Sequence, residues 1–384
     1  MYNGTQKKKL AIIGASYLQA PLILKAKEMG IETHVFAWAA QDIGEKIADY
    51  FYPISIIDKE LILKECQKIH IDGICTIASD LATIAVSYVA EKMGLEGNPI
   101  ETSLVSTNKH KMRLCFELHN DPSPRSILVE NVNDLKDQNF TYPVIVKPLD
   151  RSGSRGIVKV DDPQKLGQAI EIAMEQGFMK KALVEDFVDG KEYSVECISW
   201  NGKHEFLAIT EKYTTGAPHF IETGHIQPAG IGEQQIEKVK NIVFHALNSL
   251  NIRVGASHSE IKITEEGKIY IIEIGARMGG DFIGSHLVEL STGVDYVKCV
   301  IECALGKRPE VEKKELGVVA GVRFAMDSSD CKAIRLFKKM HPEKVVIYEE
   351  NENDEYQVTD SSNRKGYCLA SFDNRRDAVN MMRV

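Results

Sequence analysis

Apolar and polar positions alternate in two rhythms over the first hundred residues. Lys8 to Ile13, apolar from Leu10 onward and ending in Gly14-Ala15-Ser16, reads as a buried strand. Helical spacing follows from Leu18 to Met29, then Gly30 and a second strand from Thr33 to Trp38. A helix from Lys59 to Ile69, a strand from Gly73 to Ile77 and a helix from Leu81 to Met93 continue the alternation. Strands alternating with helices predict a parallel, doubly wound sheet for residues 1–106.

The rhythm changes after Ser106. A polar, basic helix from Thr107 to Leu118 reads as a connector. Residues 107–188 then hold strands at Pro143–Lys147, Gly156–Val160 and Ala182–Phe187 and a helix at Pro163–Gln176. Residues 189–306 hold strands near Glu192–Trp200 and Glu205–Lys212, an amphipathic helix from Glu233 to Leu250, a hairpin at Gly255–Gly275 and helix to about Leu305. Residues 307–384 read as a small α/β module with strands near Val318–Phe324, Val345–Tyr348 and Gly366–Ser371. Its polar loop, Glu349 to Arg364, is expected to be mobile. The fold class is therefore α/β and α+β in four units, without an internal repeat.

Composition narrows the function. At 384 residues, 43% hydrophobic and 27% charged, the chain has the make-up of a soluble globular protein. A formal charge of −8 leaves no basic surplus for nucleic acid. Lys7 to Lys9 precede an apolar run too short for a secretory leader, and no window has the length of a membrane span. The eight cysteines are scattered without a CxxC pair. Cys299 and Cys303 lie four apart on a predicted helix, but no histidine accompanies them to make a metal site. All eight are expected as reduced, mostly buried thiols of a cytoplasmic protein.

The segment HSEIKITEEGKIYIIEIGARMGG alternates with period two on both sides of Glu266-Gly267, which predicts a hairpin with a two-residue turn. That turn places Glu260 opposite Glu273. Like charges directly opposite destabilise a hairpin unless a cation lies between them, and Mg²⁺ is commonly held by one or two carboxylates plus phosphates. The alternative is an exposed pair relieved by Lys262. Arg277, four residues past Glu273, and the pair Gly279-Gly280 favour phosphate chemistry over a solvated surface.

A second candidate follows a buried strand: Lys147-Pro-Leu-Asp-Arg-Ser-Gly-Ser-Arg-Gly156. Small residues there expose consecutive backbone N–H groups that can wrap anionic oxygens, and Lys147 supplies the charge. A plain surface loop is the alternative. No GxxxxGK[ST] occurs, and Gly14-Ala-Ser-Tyr-Leu-Gln lacks the later glycines of a dinucleotide fingerprint.

Four ordered motifs resemble the ATP-grasp enzymes over roughly Lys8 to Gly306: the N-terminal strand-turn-helix, the Lys147 strand with its SGSRG loop, the hinge VEDFVDGKEYSVE, and the acidic strands ending in IGARMGG. The resemblance implies a Rossmann-like pre-ATP-grasp unit, a small lid subdomain, a large subdomain with the metal site and a C-terminal module. It implies ATP and Mg²⁺ (Mn²⁺ as an alternative), with ADP-forming ligation of a small carboxylate to an amine or other nucleophile through an acyl phosphate. Lys147 and Lys109, with Lys111 close by, are expected on the phosphates. Ser152, Gly153, Ser154 and Gly156 are expected in the loop over them. Glu185, Phe187 and Val188 are expected along the adenine and Glu192 on the ribose. Glu260 and Glu273 are expected as metal ligands, and Arg277 as the group stabilising the transferring phosphoryl. Gly275 stands where the family usually has an asparagine ligand, so a second metal would depend on the two glutamates, phosphates and water.

Residues Ile209 to Gly230 resemble a subset containing the L-amino acid ligases and relatives of the carbamoyl phosphate synthetase large subunit. There Glu222, His225 and Arg277 are expected to face substrate. The tail resembles that of phosphoribosylglycinamide synthetase-like and biotin carboxylase-like members. A homodimer through the first and last units is common in the family. The rival readings are bicarbonate activation, a non-catalytic ATP-binding regulatory protein and, least supported, a nicotinamide-dependent oxidoreductase.

Overall fold

The run Lys9–Ile13 forms an inner strand of a four-stranded parallel sheet, ordered Tyr50–Tyr52, Glu32–Phe36, Lys9–Ile13, Gly73–Cys75. Its side chains alternate between two cores. Leu10 and Ile12 pack with Leu22, Ile23 and Ala26 of the helix Ala20–Glu28. Ala11 and Ile13 pack with Ile62 and Cys66 of Lys59–Ile69 and with Ala82, Ala85 and Val89 of Asp80–Met93. A strand buried on both faces must be apolar throughout, which is why this run shows no polar alternation. Each such leucine or isoleucine contributes about 1.5–3 kcal/mol of burial.

The computed structural model describes residues 7–135, 138–151, 155–217, 220–350 and 356–383. A second, antiparallel sheet is ordered Ser126–Val129, Ala182–Asp186, Val144–Pro148, Val158–Val160, with the helix Leu166–Gln176 on its apolar face. The third sheet has eight antiparallel strands: Ile269–Gly275, Gly255–Ile263, Lys191–Trp200, Lys203–Thr214, Glu222–Gln227, Val319–Ala325, Gly366–Phe372 and Val345–Glu350.

Two features depart from the sequence reading. Glu222–Gln227 is a strand, although its composition (ETGHIQ) carries little β signal. It joins the tail strands to the large sheet, so the last unit extends that sheet instead of forming one of its own. The helix Lys109–His119, read as a connector, buries Met112 and Phe116 with Val239, Val243 and Leu247 of the helix Glu233–Ser249. The first unit is continuous with the large sheet through the helix Tyr296–Ala304, whose Tyr296 hydroxyl donates to the Cys197 carbonyl at 2.7 Å. All eight cysteines are free, and all but Cys115 are buried.

Candidate active site

Glu260 does face Glu273, but by another route than the predicted turn. The hairpin loop spans three residues, closed by the Thr264 N–H donating to the Lys268 carbonyl at 2.9 Å, with Gly267 left-handed at φ +78°. That loop sets Ile263 opposite Ile269 and Ile261 opposite Ile271, a register that would put Ile272 across from Glu260. A bulge at Ile272 absorbs one residue and restores the carboxylate pair.

Each carboxylate already has a cation, and neither cation is Lys262. Lys212 Nζ lies 2.8 Å from Glu260, 2.9 Å from Glu192 and 3.6 Å from Glu222. Lys109 Nζ lies 2.9 Å from Glu273 and donates to the Arg151 carbonyl at 2.8 Å. Burial opposes the charge on both lysines, yet the surrounding carboxylates outweigh it and raise both pKa values. Lys262 instead donates to the Val188 carbonyl at 3.3 Å and lies near the rings of Phe187 and Phe220. Lys111, the neighbour of Lys109, sits half-exposed beside Glu101 at 3.7 Å, away from the site.

Behind Glu260 is a buried pair that sequence reasoning missed. Glu196 accepts from the Gly279 N–H at 3.0 Å and binds His258 Nδ1, while His258 Nε2 lies 3.5 Å from Glu260. Burial disfavours the imidazolium, but the Glu196 charge outweighs it and lifts the His258 pKa to about 9. A Cβ on Gly279 would lie 2.7 Å from both partners, so a side chain there would break the contact.

Lys147 ends its strand with Nζ 2.6 Å from Glu185, and Arg113 Nε reaches the same carboxylate at 2.9 Å. Glu185 thus serves as the buried counter-ion of two cations, a role the expected adenine contact did not include. Burial pushes its pKa up, but Arg113 and Lys147 overcome this and hold it at about 2. Phe187 and Val188 follow on the cleft wall, with Glu192 beyond them. Ser152, Gly153 and Ser154 lie outside the described residues. Gly156 is left-handed at φ +68°, between Arg155 and Ile157, which line the cleft.

Arg277 is fixed by a residue from the first unit. Its Nε and Nη2 each lie 2.8 Å from an oxygen of Asp80, at the start of the helix Asp80–Met93. The Asp80 carboxyl stays below its usual range, because Arg277 outweighs the effect of burial. Nothing in the sequence near Asp80 marks it as a partner 197 residues away.

These groups line one cleft of about 390 Å³, which Glu222 and His225 also border. Part of the loop expected to be mobile closes it: Ser361 and Ser362 are cleft-lining, and Arg364 is buried. Residues 351–355 of that loop lie outside the described residues. Among the described residues, no group of three or more His, Cys, Asp or Glu side chains could hold a metal unaided. Two facing carboxylates suit a hard cation that completes its shell with phosphate oxygens and water. The donor set therefore fits Mg²⁺ delivered with a nucleotide.

A small sheet opposed to a large one that carries paired carboxylates defines the ATP-grasp fold. Residues 140–285 match the ATP-grasp domain model, so the chain carries an ATP-grasp domain. It is similar to the carbamoyl phosphate synthase large chain of Thermoanaerobacter sp., 24% identical over 286 residues, covering 73% of this chain and 25% of that one. It is similar to carnosine synthase 1 of Mus musculus, 23% identical over 350 residues, covering 81% and 42%. The chain thus spans less than half the length of either relative. Among solved structures it shares its fold with an L-amino acid ligase from Bacillus licheniformis, at 23% identity, TM-score 0.85, and coverage of 98% and 96%. No helix of the described residues is long and apolar enough to cross a membrane.

Proposed function

We propose that this chain joins a carboxylate to an amine or other nucleophile through an acyl phosphate, with ATP converted to ADP and phosphate. The facing pair Glu260 and Glu273, with Lys147 and Arg277 converging on the same cleft, carries this reading. Phe187 and Val188 would line the adenine and Glu192 would accept from the ribose. Lys109 and Lys147 would hold phosphates, exchanging their present carboxylate partners for phosphate oxygens. Glu260 and Glu273 would hold Mg²⁺, or Mn²⁺ in its place, which when bound neutralises phosphate charge. The substrate carboxylate oxygen attacks the γ-phosphorus as the bond from that phosphorus to the β–γ bridging oxygen breaks, and ADP leaves with the bridging oxygen. The nucleophile then attacks the acyl carbon, inorganic phosphate departs, and the proton from nitrogen passes to solvent. Arg277, immobilised by Asp80, offers a fixed positive charge to the transferring group. No protein nucleophile is required, and the site works by positioning and by excluding water.

A phosphate-release screen of carboxylates paired with amines tests the proposal. Release that needs both an organic acid and ATP supports it. Release driven by bicarbonate alone, or none with any pair, contradicts it.

A further inference from the structure

The strand that carries Glu273 is the last of its sheet, so one of its backbone edges has no neighbouring strand. Such an edge leaves N–H and C=O groups without ladder partners. Residues 112–122 take that place. The Pro122 carbonyl accepts from the Ile271 N–H at 2.7 Å, Arg113 Nη2 donates to the Ile272 carbonyl at 2.6 Å, and the Met112 sulfur accepts from the Ile274 N–H at 3.4 Å. The backbone is therefore gripped on both sides of Glu273. Ile272 is also the bulge residue that brings Glu273 opposite Glu260. The extra residue of a bulge is left out of the ladder, and Arg113 supplies a partner for its carbonyl.

Arg113 has a second contact, on the small sheet. Its Nε and Nη2 lie 2.9 and 3.3 Å from the two oxygens of Glu185, the carboxylate that Lys147 also meets. One guanidinium thus ties the Glu185 strand to the bulge beside Glu273. Lys109 stands one helical turn earlier on the same face and makes a parallel link, from the Arg151 carbonyl to Glu273. The two cations differ in one respect. Lys109 lines the cleft, whereas Arg113 is buried behind it.

Both contacts need the guanidinium. Its five N–H donors form a fixed planar fork, so Nε and one hydrogen of Nη2 serve Glu185 while the other serves Ile272. A lysine would keep the charge near Glu185 as a point on a flexible stem, without the fork. When Lys147 exchanges Glu185 for a phosphate, Arg113 remains as counter-ion, so the buried carboxylate is not left alone.

We propose that Arg113 is a positioning residue for the metal–nucleotide site: it fixes the bulge that aims Glu273, and it holds Glu185 so that Lys147 is free to take phosphate. It lies outside the cleft and acts through Glu273 and Lys147. Met112 adds the grip on the other side of Glu273. The proposal rests on reading Glu260 and Glu273 as metal ligands, and it adds a group behind the cleft that sets their geometry. Removing a contact that orients a metal ligand typically costs about 10–100-fold in metal affinity.

The test is calorimetric titration of ADP into the full chain with and without Mg²⁺, read as the ratio of the two Kd values. Arg113→Lys keeps a cation beside Glu185 and should cut that ratio about tenfold or more. Arg323→Lys is the matched control, because Arg323 is also buried and joins the Asp330 carboxylate to the Met381 carbonyl outside the cleft. Both variants should melt at lower temperature than the wild type. Only Arg113→Lys should change the Mg²⁺ ratio, with Arg323→Lys staying within about twofold of wild type. Met112→Leu conserves volume and removes only the sulfur acceptor, so it should fold and cut the ratio about threefold. That variant decides the matter if Arg113→Lys does not fold. An unchanged ratio in the deciding variant, or an equal fall in Arg323→Lys, would overturn the proposal. A wild type whose ADP binding ignores Mg²⁺ would instead remove the metal reading beneath it.

Discussion

The phosphate end and the substrate end of the cleft share one large sheet but draw on the chain in different ways. At the proposed phosphate end, the two facing carboxylates Glu260 and Glu273 belong to a single hairpin, Lys147 closes an apolar strand, and Arg277 follows four residues after Glu273. At the proposed substrate end, Glu222, Asp281 and Arg364 come from a strand, a left-handed turn and a tail loop, the last two 83 positions apart in sequence. The first arrangement fixes charge where every nucleotide presents phosphate. The second depends on the tertiary fold to bring an interior strand, a turn and the tail together.

Removing a metal carboxylate should have the largest effect. Glu273→Ala is expected to lower phosphate release by roughly 10³-fold with every substrate, while circular dichroism stays native and the melting temperature falls because buried Lys109 loses its ion-pair partner. Glu222→Gln should instead raise KM for the acid alone. Identical kinetic signatures from the two variants would erase the distinction between the ends.

The counter-ions of the phosphate end should matter next. Glu185→Gln leaves Lys147 and Arg113 buried beside a neutral amide, at a cost of about 3–5 kcal/mol in denaturant unfolding near neutral pH. The sign of the pH dependence follows from the depressed folded pKa. Stability from Glu185 is present above the unfolded value of 4.5 and is lost as pH falls toward about 2. The acid side of the stability profile should flatten across that window in the variant. An unchanged acid side would contradict the ion-pair account.

Asp80→Asn tests whether Arg277 is held or merely near. The expected result is a roughly tenfold loss of kcat with the nucleotide Kd unchanged, since a positioning contact is weakened and the guanidinium remains. The smallest effect should come from Lys262→Met. Lys262 contacts neither glutamate, so phosphate release should stay within about twofold of wild type. A large loss would restore Lys262 as the cation of the pair.

Much of the phosphate end was legible because its geometry is local. Period-two alternation put Glu260 across from Glu273, yet it did so through two compensating irregularities, a longer loop and a bulge at Ile272. Alternation alone shows neither. Lys212 escaped notice because a lysine on a strand reads as solvent-facing, and only the third dimension brings Glu192, Glu222 and Glu260 around it. Asp80, Glu196 and His258 were silent for the same reason. At the substrate end, a bulge decides that Glu222 and His225 share a face, and strand composition carries no sign of it. The tail loop misled most: its polar residues suggest solvent, whereas Ser361 and Arg364 spend that polarity on Glu222 and Asp281 inside the cleft.

The most direct test of the metal-nucleotide claim is calorimetric titration of ADP into the wild type and into Glu260→Gln/Glu273→Gln, with and without Mg²⁺. The account predicts that Mg²⁺ tightens ADP binding in the wild type and has no effect in the double variant, whose Kd stays at the Mg²⁺-free level. Mg²⁺-dependent tightening that survives in the double variant would contradict it.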